Sequence, residues 1–114
     1  MLGKASYSAN CVACHGEEAM GDGPMASSFD IAPPNLTTLS DRSGGVFPFS
    51  EVYQIIEGSD ETMRAHADDS MMPAWGDYFM KDSLADRTMD PEDAEYVVQG
   101  RILALVYYLQ SIQK

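Results

Sequence analysis

The chain has 114 residues with 18 acidic and 7 basic side chains, giving a formal net charge of −11 and an isoelectric point near 4.2. Its length predicts one domain, and its hydrophobic content of 45% is typical of a globular protein and not of a disordered one. The negative charge argues against nucleic acid and anionic membranes as partners and favours a positively charged partner, although acidity that only maintains solubility explains it equally well.

Residues Leu2–Asn10 are predicted to form a first short helix. Gly3 and Tyr7 lie one turn apart and therefore share a face of this helix. Because glycine is unfavourable inside a helix, its presence here predicts the close approach of another element. The same helix leads directly into Cys11.

The Cys-Val-Ala-Cys-His sequence at residues 11–15 has the spacing of a c-type haem attachment site. One turn of backbone allows the Cys11 and Cys14 thiols each to bond one vinyl group of the porphyrin as a thioether. His15 then lies under the ring, where an imidazole nitrogen can bind the iron. The sequence therefore predicts one covalently bound haem c, with both cysteines used for its attachment and neither available for a disulfide.

Two other uses of the cysteine pair are less favoured. A redox dithiol of the thioredoxin type expects a βαβ setting, and no strand pattern flanks residues 11–15. A zinc site needs four ligands, whereas the chain adds only His15 and His66 to the cysteines. Ligands that are adjacent in sequence, as Cys14 and His15 are, also fit one tetrahedron poorly.

The segment between the cysteines and the first tandem prolines is rich in turns. Residues 16–24 are glycine-rich and acidic, and they are predicted to wrap the haem edge; a calcium loop would need the EF-hand spacing and a closing glutamate. Residues 25–31 form at most one helical turn. Residues 32–36 are predicted to be extended, because each proline restricts its predecessor. The Pro34 carbonyl is the predicted acceptor for the second ring nitrogen of His15.

A second short helix is predicted over residues 50–57, with Ser50 as its N-cap and Gly58 as its end. Phe47 and Phe49 flank its start and are predicted to pack on haem or on the core.

Met72 is the predicted sixth ligand of the iron. It precedes a proline, so its thioether is presented by extended backbone and not along a helix face. Trp75 is predicted to pack on the ring and to donate its indole N–H to a haem propionate. His66 is an alternative sixth ligand, but its polar and acidic neighbours at residues 59–70 favour an exposed surface loop.

The chain ends with the most regular helical pattern. Residues 80–90 are predicted to be a charged connector with at most a helical turn near Leu84. Asp90 then caps a long helix with Pro91 at its first position and acidic residues in its first turn. The helix carries an apolar stripe that is predicted to be core. The stripe consists of Val98, Ile102, Leu105, Leu109 and Ile112.

Together these motifs resemble a small class I cytochrome c over nearly the whole chain. The resemblance rests on the first helix, on residues 11–16, on Pro-Asn-Leu at 34–36, on Met-Pro-Ala-Trp-Gly at 72–76 and on the terminal helix. It implies an all-α cytochrome c fold in a single domain over residues 1–114. In that fold the first helix would cross the last.

The resemblance also implies particular contacts. In the crossing, Gly3 and Tyr7 would meet Leu105 and Tyr108. Pro34 would supply the carbonyl that holds the proximal histidine. The residues implied to contact the haem are Cys11, Cys14, His15, Pro34, Leu36, Met72 and Trp75, with His15 and Met72 on the iron.

The function that this resemblance implies is one-electron transfer between redox proteins, with no enzymatic reaction. The chain is acidic where mitochondrial members are basic, so their docking through lysines does not transfer, and partners with basic docking surfaces are expected. Phrases such as Gly-Asp-Gly-Pro at 21–24 resemble bacterial periplasmic cytochromes. Haem c is attached outside the cytoplasm, so we expect a periplasmic protein whose export signal or membrane anchor is missing from this sequence.

Two alternatives remain open. The chain can be a haem domain or subunit of a larger oxidoreductase complex, with the same chemistry at the iron. It can also be a haem protein with a labile sixth position, of a peroxidase-like or gas-binding type.

Overall fold

The computed structural model describes residues 2–28, 32–58 and 72–114. Within these ranges the chain forms helices, turns and loops, and it contains no strand, which confirms the predicted all-α class. None of the described helices combines the length and apolarity needed to cross a bilayer. The α-helices are α1 (Leu2–Asn10), α2 (Val12–His15), α3 (Leu39–Arg42), α4 (Phe49–Glu57), α5 (Trp75–Leu84) and α6 (Pro91–Ser111), with 3-10 turns at Ala26–Ser28 and Leu36–Thr38.

Helix α6 is the central element, and α1, α4 and α5 all pack against it. Its start is as predicted: Asp90 is the N-cap, its side chain accepts a hydrogen bond from the Glu92 N–H (2.8 Å), and Pro91 follows at the first helical position. The predicted stripe lies in the core, except that Ile112 follows the helix end and is half-buried. Val106, which was not in the predicted stripe, is also fully buried.

The predicted crossing of α1 with α6 is present. A Cβ atom on Gly3 would overlap the Ala104 carbonyl oxygen and lie 2.9 Å from the Cβ of Tyr108. Glycine is therefore what allows the two backbones to approach so closely. The Tyr7 ring packs on Tyr108 with 5.3 Å between centroids, and Leu105 is buried in the same core cluster as Tyr7.

Helix α5 corrects the prediction of a charged connector after residue 80. The helix runs over ten residues from Trp75 to Leu84, and within it only Phe79 and Ser83 are buried. Because only one aromatic is buried, the sequence shows little helical periodicity here, and packing against α6 determines that this segment is a helix. The Arg101 guanidinium lies 3.9 Å from the Phe79 ring centroid and pairs with Asp82 at 2.9 Å.

Helix α4 begins one residue earlier than predicted. The Pro48 carbonyl accepts the hydrogen bond from the Val52 N–H (3.0 Å), so the helix starts at Phe49, and the predicted cap by Ser50 is wrong. Its end at Gly58 is confirmed, since that residue adopts the left-handed conformation with φ of 93°. The predicted loop at 59–70, with His66, lies outside the described residues.

Candidate functional site

The Cys-x-x-Cys-His segment forms its own short helix at the end of α1. Cys11 is the N-cap of α2, and its N–H donates to the Tyr7 carbonyl (2.8 Å), so α2 continues almost directly from α1. His15 is the last residue of α2. Both cysteines are free thiols and half-buried. The helical spacing therefore holds the two sulfur atoms and the imidazole on one short, fixed piece of backbone.

The environment of the cysteines does not suit a redox dithiol. Burial raises the pKa of the Cys11 thiol to about 12, and the nearby Cys14 adds to the rise. A redox dithiol depends on a thiolate that is stabilised by a lowered pKa. A thioether carries no charge and tolerates this apolar setting. Among the described residues, no three His, Cys, Asp or Glu side chains come together as a metal site would need, so the zinc alternative also lacks support.

The glycine-rich loop folds back over the end of α2. The four carbonyl groups of residues 12–15 accept hydrogen bonds of 2.8 to 3.1 Å from the N–H groups of Gly16, Met25, Gly23 and Gly21 respectively. A helix end normally leaves such carbonyls unpaired, so this loop satisfies them. The chain can pass this close because Gly23 has no Cβ, which would overlap the carbonyl oxygen of Ala13.

The same loop brings the proline segment to the histidine. The Ala19 carbonyl accepts a hydrogen bond from the Leu36 N–H (2.7 Å), and a Cβ on Gly21 would lie 3.2 Å from the Pro34 carbonyl oxygen. Residues 32–35 have no regular secondary structure, as predicted, but a 3-10 turn already begins at Leu36. The Asn35 side chain caps this turn by accepting from the Thr37 N–H at 2.9 Å.

The Pro34 carbonyl influences the His15 imidazole as a hydrogen-bond acceptor. Burial lowers the pKa of His15, and the Pro34 carbonyl opposes this as a backbone hydrogen-bond acceptor. The Nδ1 atom itself is buried, and none of the described residues forms a hydrogen bond of good geometry with it. A half-buried imidazole with a backbone carbonyl acting on it could serve as a ligand to haem iron.

Tyr7 joins the helical core to the site. Its hydroxyl is buried and donates to the Gly16 carbonyl at 2.6 Å, directly after His15. Burial raises the pKa of this phenol, with smaller contributions from Cys11, Tyr108 and Asp22, so it remains protonated as a donor. The crossing of α1 with α6 thus fixes the start of the glycine-rich loop.

Met72 and Trp75 lie on the other described segment of the site. Met72 is half-buried, packs against the core and precedes α5 in a stretch without helical structure, which agrees with the predicted presentation of its thioether. Trp75 is the first residue of α5, and its ring lies 5.7 Å from Phe79 and 5.2 Å from Tyr78 between centroids. The close contact of Gly58 with Ala74 ties this segment to the end of α4.

A set of large apolar side chains packs against the core but remains only half-buried. These residues are Val12, Leu36, Leu39, Phe47, Phe49, Tyr53, Met72 and Trp75. They come from α2, from residues 36–39, from residues 47–53 and from residues 72–75, and a large planar apolar group could cover them. With two free thiols, a half-buried imidazole and a thioether, the residues present fit a haem.

Sequence reasoning found the chemical groups of the site but missed part of its support. Leu39 and Tyr53 belong to the half-buried apolar set, although no motif marks either of them. The Arg42 guanidinium donates to the Asn35 carbonyl at 2.6 Å and so helps to hold the proline segment. The alternative ligand His66 lies outside the described residues.

Comparison with known proteins assigns the family. The family model described as Cytochrome c matches residues 1–99 and so covers the cysteines, the proline segment, Met72 and the first part of α6. No curated protein and no solved structure matches the chain. Cytochrome c domains carry covalently bound haem c with iron, transfer electrons to and from redox proteins, and act generally as electron carriers. This chain belongs to the cytochrome c family.

Proposed function

We propose that the chain is a class I, monohaem cytochrome c of the bacterial periplasm that transfers single electrons between proteins and catalyses no reaction of its own. Cys11 and Cys14 would hold the haem through thioethers, and His15 and Met72 would bind its iron. The bound haem would supply the reversible one-electron couple of its iron. The observation that carries the proposal is the arrangement of α2 and its N-cap, in which both thiols and the half-buried imidazole share one short piece of helix and the Pro34 carbonyl acts on the imidazole.

The axial ligands are assigned from how the chain presents them. His15 is half-buried at the end of α2, where the glycine-rich loop binds its carbonyl and Tyr7 binds the next carbonyl, that of Gly16. Met72 is half-buried against the core on non-helical backbone just before α5. Two protein ligands would leave no open coordination position, which favours electron transfer over peroxidase-like or gas-binding chemistry. Leu36 and Trp75, both half-buried, are proposed to pack on the ring.

Charge supports a partner with a basic docking surface. From residue 5 to residue 41 the sequence contains no Lys or Arg, and this stretch includes the whole Cys-x-x-Cys-His segment. The exposed Glu17, Glu18 and Asp22 lie in the loop that folds over α2, with the exposed Met20 beside them. An acidic surface with an apolar residue suits a brief encounter with a basic protein. A haem domain within a larger complex would use the same surface.

Replacement of Met72 tests the sixth ligand. The Met72→Ala protein should keep its haem, lose the far-red sulfur-to-iron charge-transfer band of the ferric form, acquire a lower reduction potential and bind cyanide or carbon monoxide readily. Met20→Ala, at an exposed methionine, is the matched control and should change none of these. An unchanged spectrum and potential in Met72→Ala would exclude Met72 and favour another ligand. Strong cyanide or carbon monoxide binding by the unmodified protein would favour the labile-site alternative.

Charge neutralisation tests the docking surface. With a basic redox protein as partner, the rate of electron transfer should fall by about tenfold or more as salt is raised. The double variant Glu17→Gln/Glu18→Gln should lower the rate at low salt. The control Glu92→Gln/Asp93→Asn, at the exposed start of α6, removes the same charge and should have a smaller effect. A rate that is insensitive to salt would contradict electrostatic docking.

A further inference from the structure

The turn that follows α6 carries a side chain with an unusual number of backbone partners. The Nε2 atom of Gln113 donates to the Leu36 carbonyl at 2.7 Å and to the Leu109 carbonyl at 2.8 Å. Its Oε1 atom accepts from the Ser40 N–H at 3.0 Å. One amide group therefore connects the end of α6 to both ends of the segment from Leu36 to Ser40.

The backbone next to Gln113 extends the same connection. The Lys114 N–H donates to the Thr37 carbonyl at 2.8 Å. The Leu109 carbonyl, which also accepts from the Ile112 N–H at 3.2 Å, receives a second hydrogen bond from the Gln113 side chain. Gln113 is thus bonded to the last turn of α6 while it binds the distant segment.

Leu36 links Gln113 to the glycine-rich loop. Its carbonyl accepts from Gln113, and its own N–H donates to the Ala19 carbonyl at 2.7 Å. Two residues after Ala19, the Gly21 N–H donates to the His15 carbonyl at 2.9 Å. Both peptide groups of Leu36 are therefore fixed, one by α6 and one by the loop that encloses α2.

Pro34 lies close to this attachment in the chain. It lies two residues before Leu36 in a stretch without regular secondary structure, and as a proline it has no N–H with which to anchor itself. Its carbonyl oxygen would lie 3.2 Å from a Cβ on Gly21, whose N–H donates to the His15 carbonyl, and the same Pro34 carbonyl acts on the His15 imidazole as a backbone acceptor. A displacement of the segment would therefore move this carbonyl relative to His15.

We propose that Gln113 is a positioning residue for the haem site, which sets the contact of the Pro34 carbonyl with His15 and the packing of Leu36. This inference rests on the proposed roles of His15 and Pro34. Gln113 lies beyond residues 1–99, the part of the chain that matches the family.

Three variants of the haem-loaded protein distinguish the effects of the individual hydrogen bonds of Gln113. Gln113→Met keeps the shape of the side chain and removes all its hydrogen bonds. Gln113→Glu keeps an acceptor for Ser40 but places a carboxylate oxygen against the Leu36 carbonyl. Gln110→Met makes the same replacement at an exposed position of α6 and serves as the control.

Hydrogen exchange measured by NMR gives a readout that does not depend on electron transfer. The Ser40 amide proton should exchange about tenfold faster in Gln113→Met and at the original rate in Gln113→Glu, because only the first variant loses its acceptor. The His15 Nδ1 proton should exchange about tenfold faster in both, and the reduction potential should shift in both. Gln110→Met should leave all three properties unchanged.

The outcomes distinguish this inference from the proposed function. If the His15 proton and the potential stay unchanged in Gln113→Met and Gln113→Glu while the unmodified protein shows His15 ligation, the inference about Gln113 is wrong and the proposed function stands. If the unmodified protein shows no iron-bound histidine at position 15, both are wrong. Equal effects in Gln110→Met would also overturn the positioning role, because they would show a general loosening of α6.

Discussion

Different interactions stabilise the two halves of this molecule. The helical half consists of α1, α4, α5 and α6, where Phe79, Ile102 and Val106 are fully excluded from solvent. The site half consists of residues 11–28, 32–38 and 72–74, where secondary structure is limited to α2 and two 3-10 turns. There the chain is fixed by backbone hydrogen bonds between loops, and its large apolar side chains are only half-buried.

This difference indicates where each half obtains its stability. The helical half is stabilised by the burial of apolar side chains in its own core. The site half lacks a filled core of its own, so a bound haem would contribute much of its stability by covering the half-buried side chains. Tyr7 belongs to both halves, because its ring packs on Tyr108 and its hydroxyl binds the Gly16 carbonyl.

Truncation of a core side chain should have the largest effect on the helical half. Leu105 is almost fully buried in α6, so Leu105→Ala should reduce the free energy of unfolding by about 2–5 kcal/mol, measured by denaturant titration. Leu103, on the same helix but 36% exposed, provides the control, and Leu103→Ala should cost much less. Equal losses for the two would show that burial in α6 does not determine stability.

A methyl group at the helix crossing should have the next largest effect. Gly3→Ala introduces a Cβ against the Ala104 carbonyl, so α1 and α6 must separate, at a cost of about 1–3 kcal/mol in the same titration. Gly100 has open space around its Cα within α6, and Gly100→Ala should stabilise the protein by up to about 1 kcal/mol through helix propensity. Opposite signs are the expected result, and a harmless Gly3→Ala would refute the close crossing.

Removal of one hydroxyl tests the link between the two halves. Tyr7→Phe keeps the ring on Tyr108 but leaves the Gly16 carbonyl without this donor, so unfolding should become easier by about 1–2 kcal/mol. Tyr96 is 73% exposed, and Tyr96→Phe should have no measurable effect. Hydrogen exchange should accelerate for the amides of the glycine-rich loop more than for those of α6. Uniform acceleration would mean that Tyr7 only supports the core.

The helix cap should have the smallest effect. Asp90→Ala removes the acceptor for the Glu92 N–H at the exposed start of α6 and should reduce the free energy of unfolding by about 1 kcal/mol. Asp90→Asn keeps a side-chain oxygen in the same place and should recover most of the loss. If Asn were as costly as Ala, charge and not the cap bond would be responsible. Neither substitution should alter the haem spectrum, because the cap lies in the helical half.

Local sequence patterns correctly predicted the helices that are stabilised by interactions between neighbouring residues. Helix α1 and helix α6 occur where propensity, caps and apolar spacing place them, and Gly58 ends α4 as expected. Helix α5 was missed because its one buried aromatic, Phe79, acquires its contact with Arg101 only when α6 is present. The start of α4 was misplaced because the carbonyl of Pro48, not the hydroxyl of Ser50, receives the first hydrogen bond.

The sequence alone determined the chemistry of the site, because two thiols and an imidazole at fixed spacing within one helical turn need no distant contact to define them. It also determined the start of α6, where Asp90 and Pro91 act on adjacent backbone. Tertiary structure decided how that chemistry is supported. Gln113 and Leu36 are 77 residues apart, and a bond from a side-chain amide to a backbone carbonyl leaves no periodic trace in sequence. Such contacts exist only after the packing of α6 has brought the two ends of the chain together.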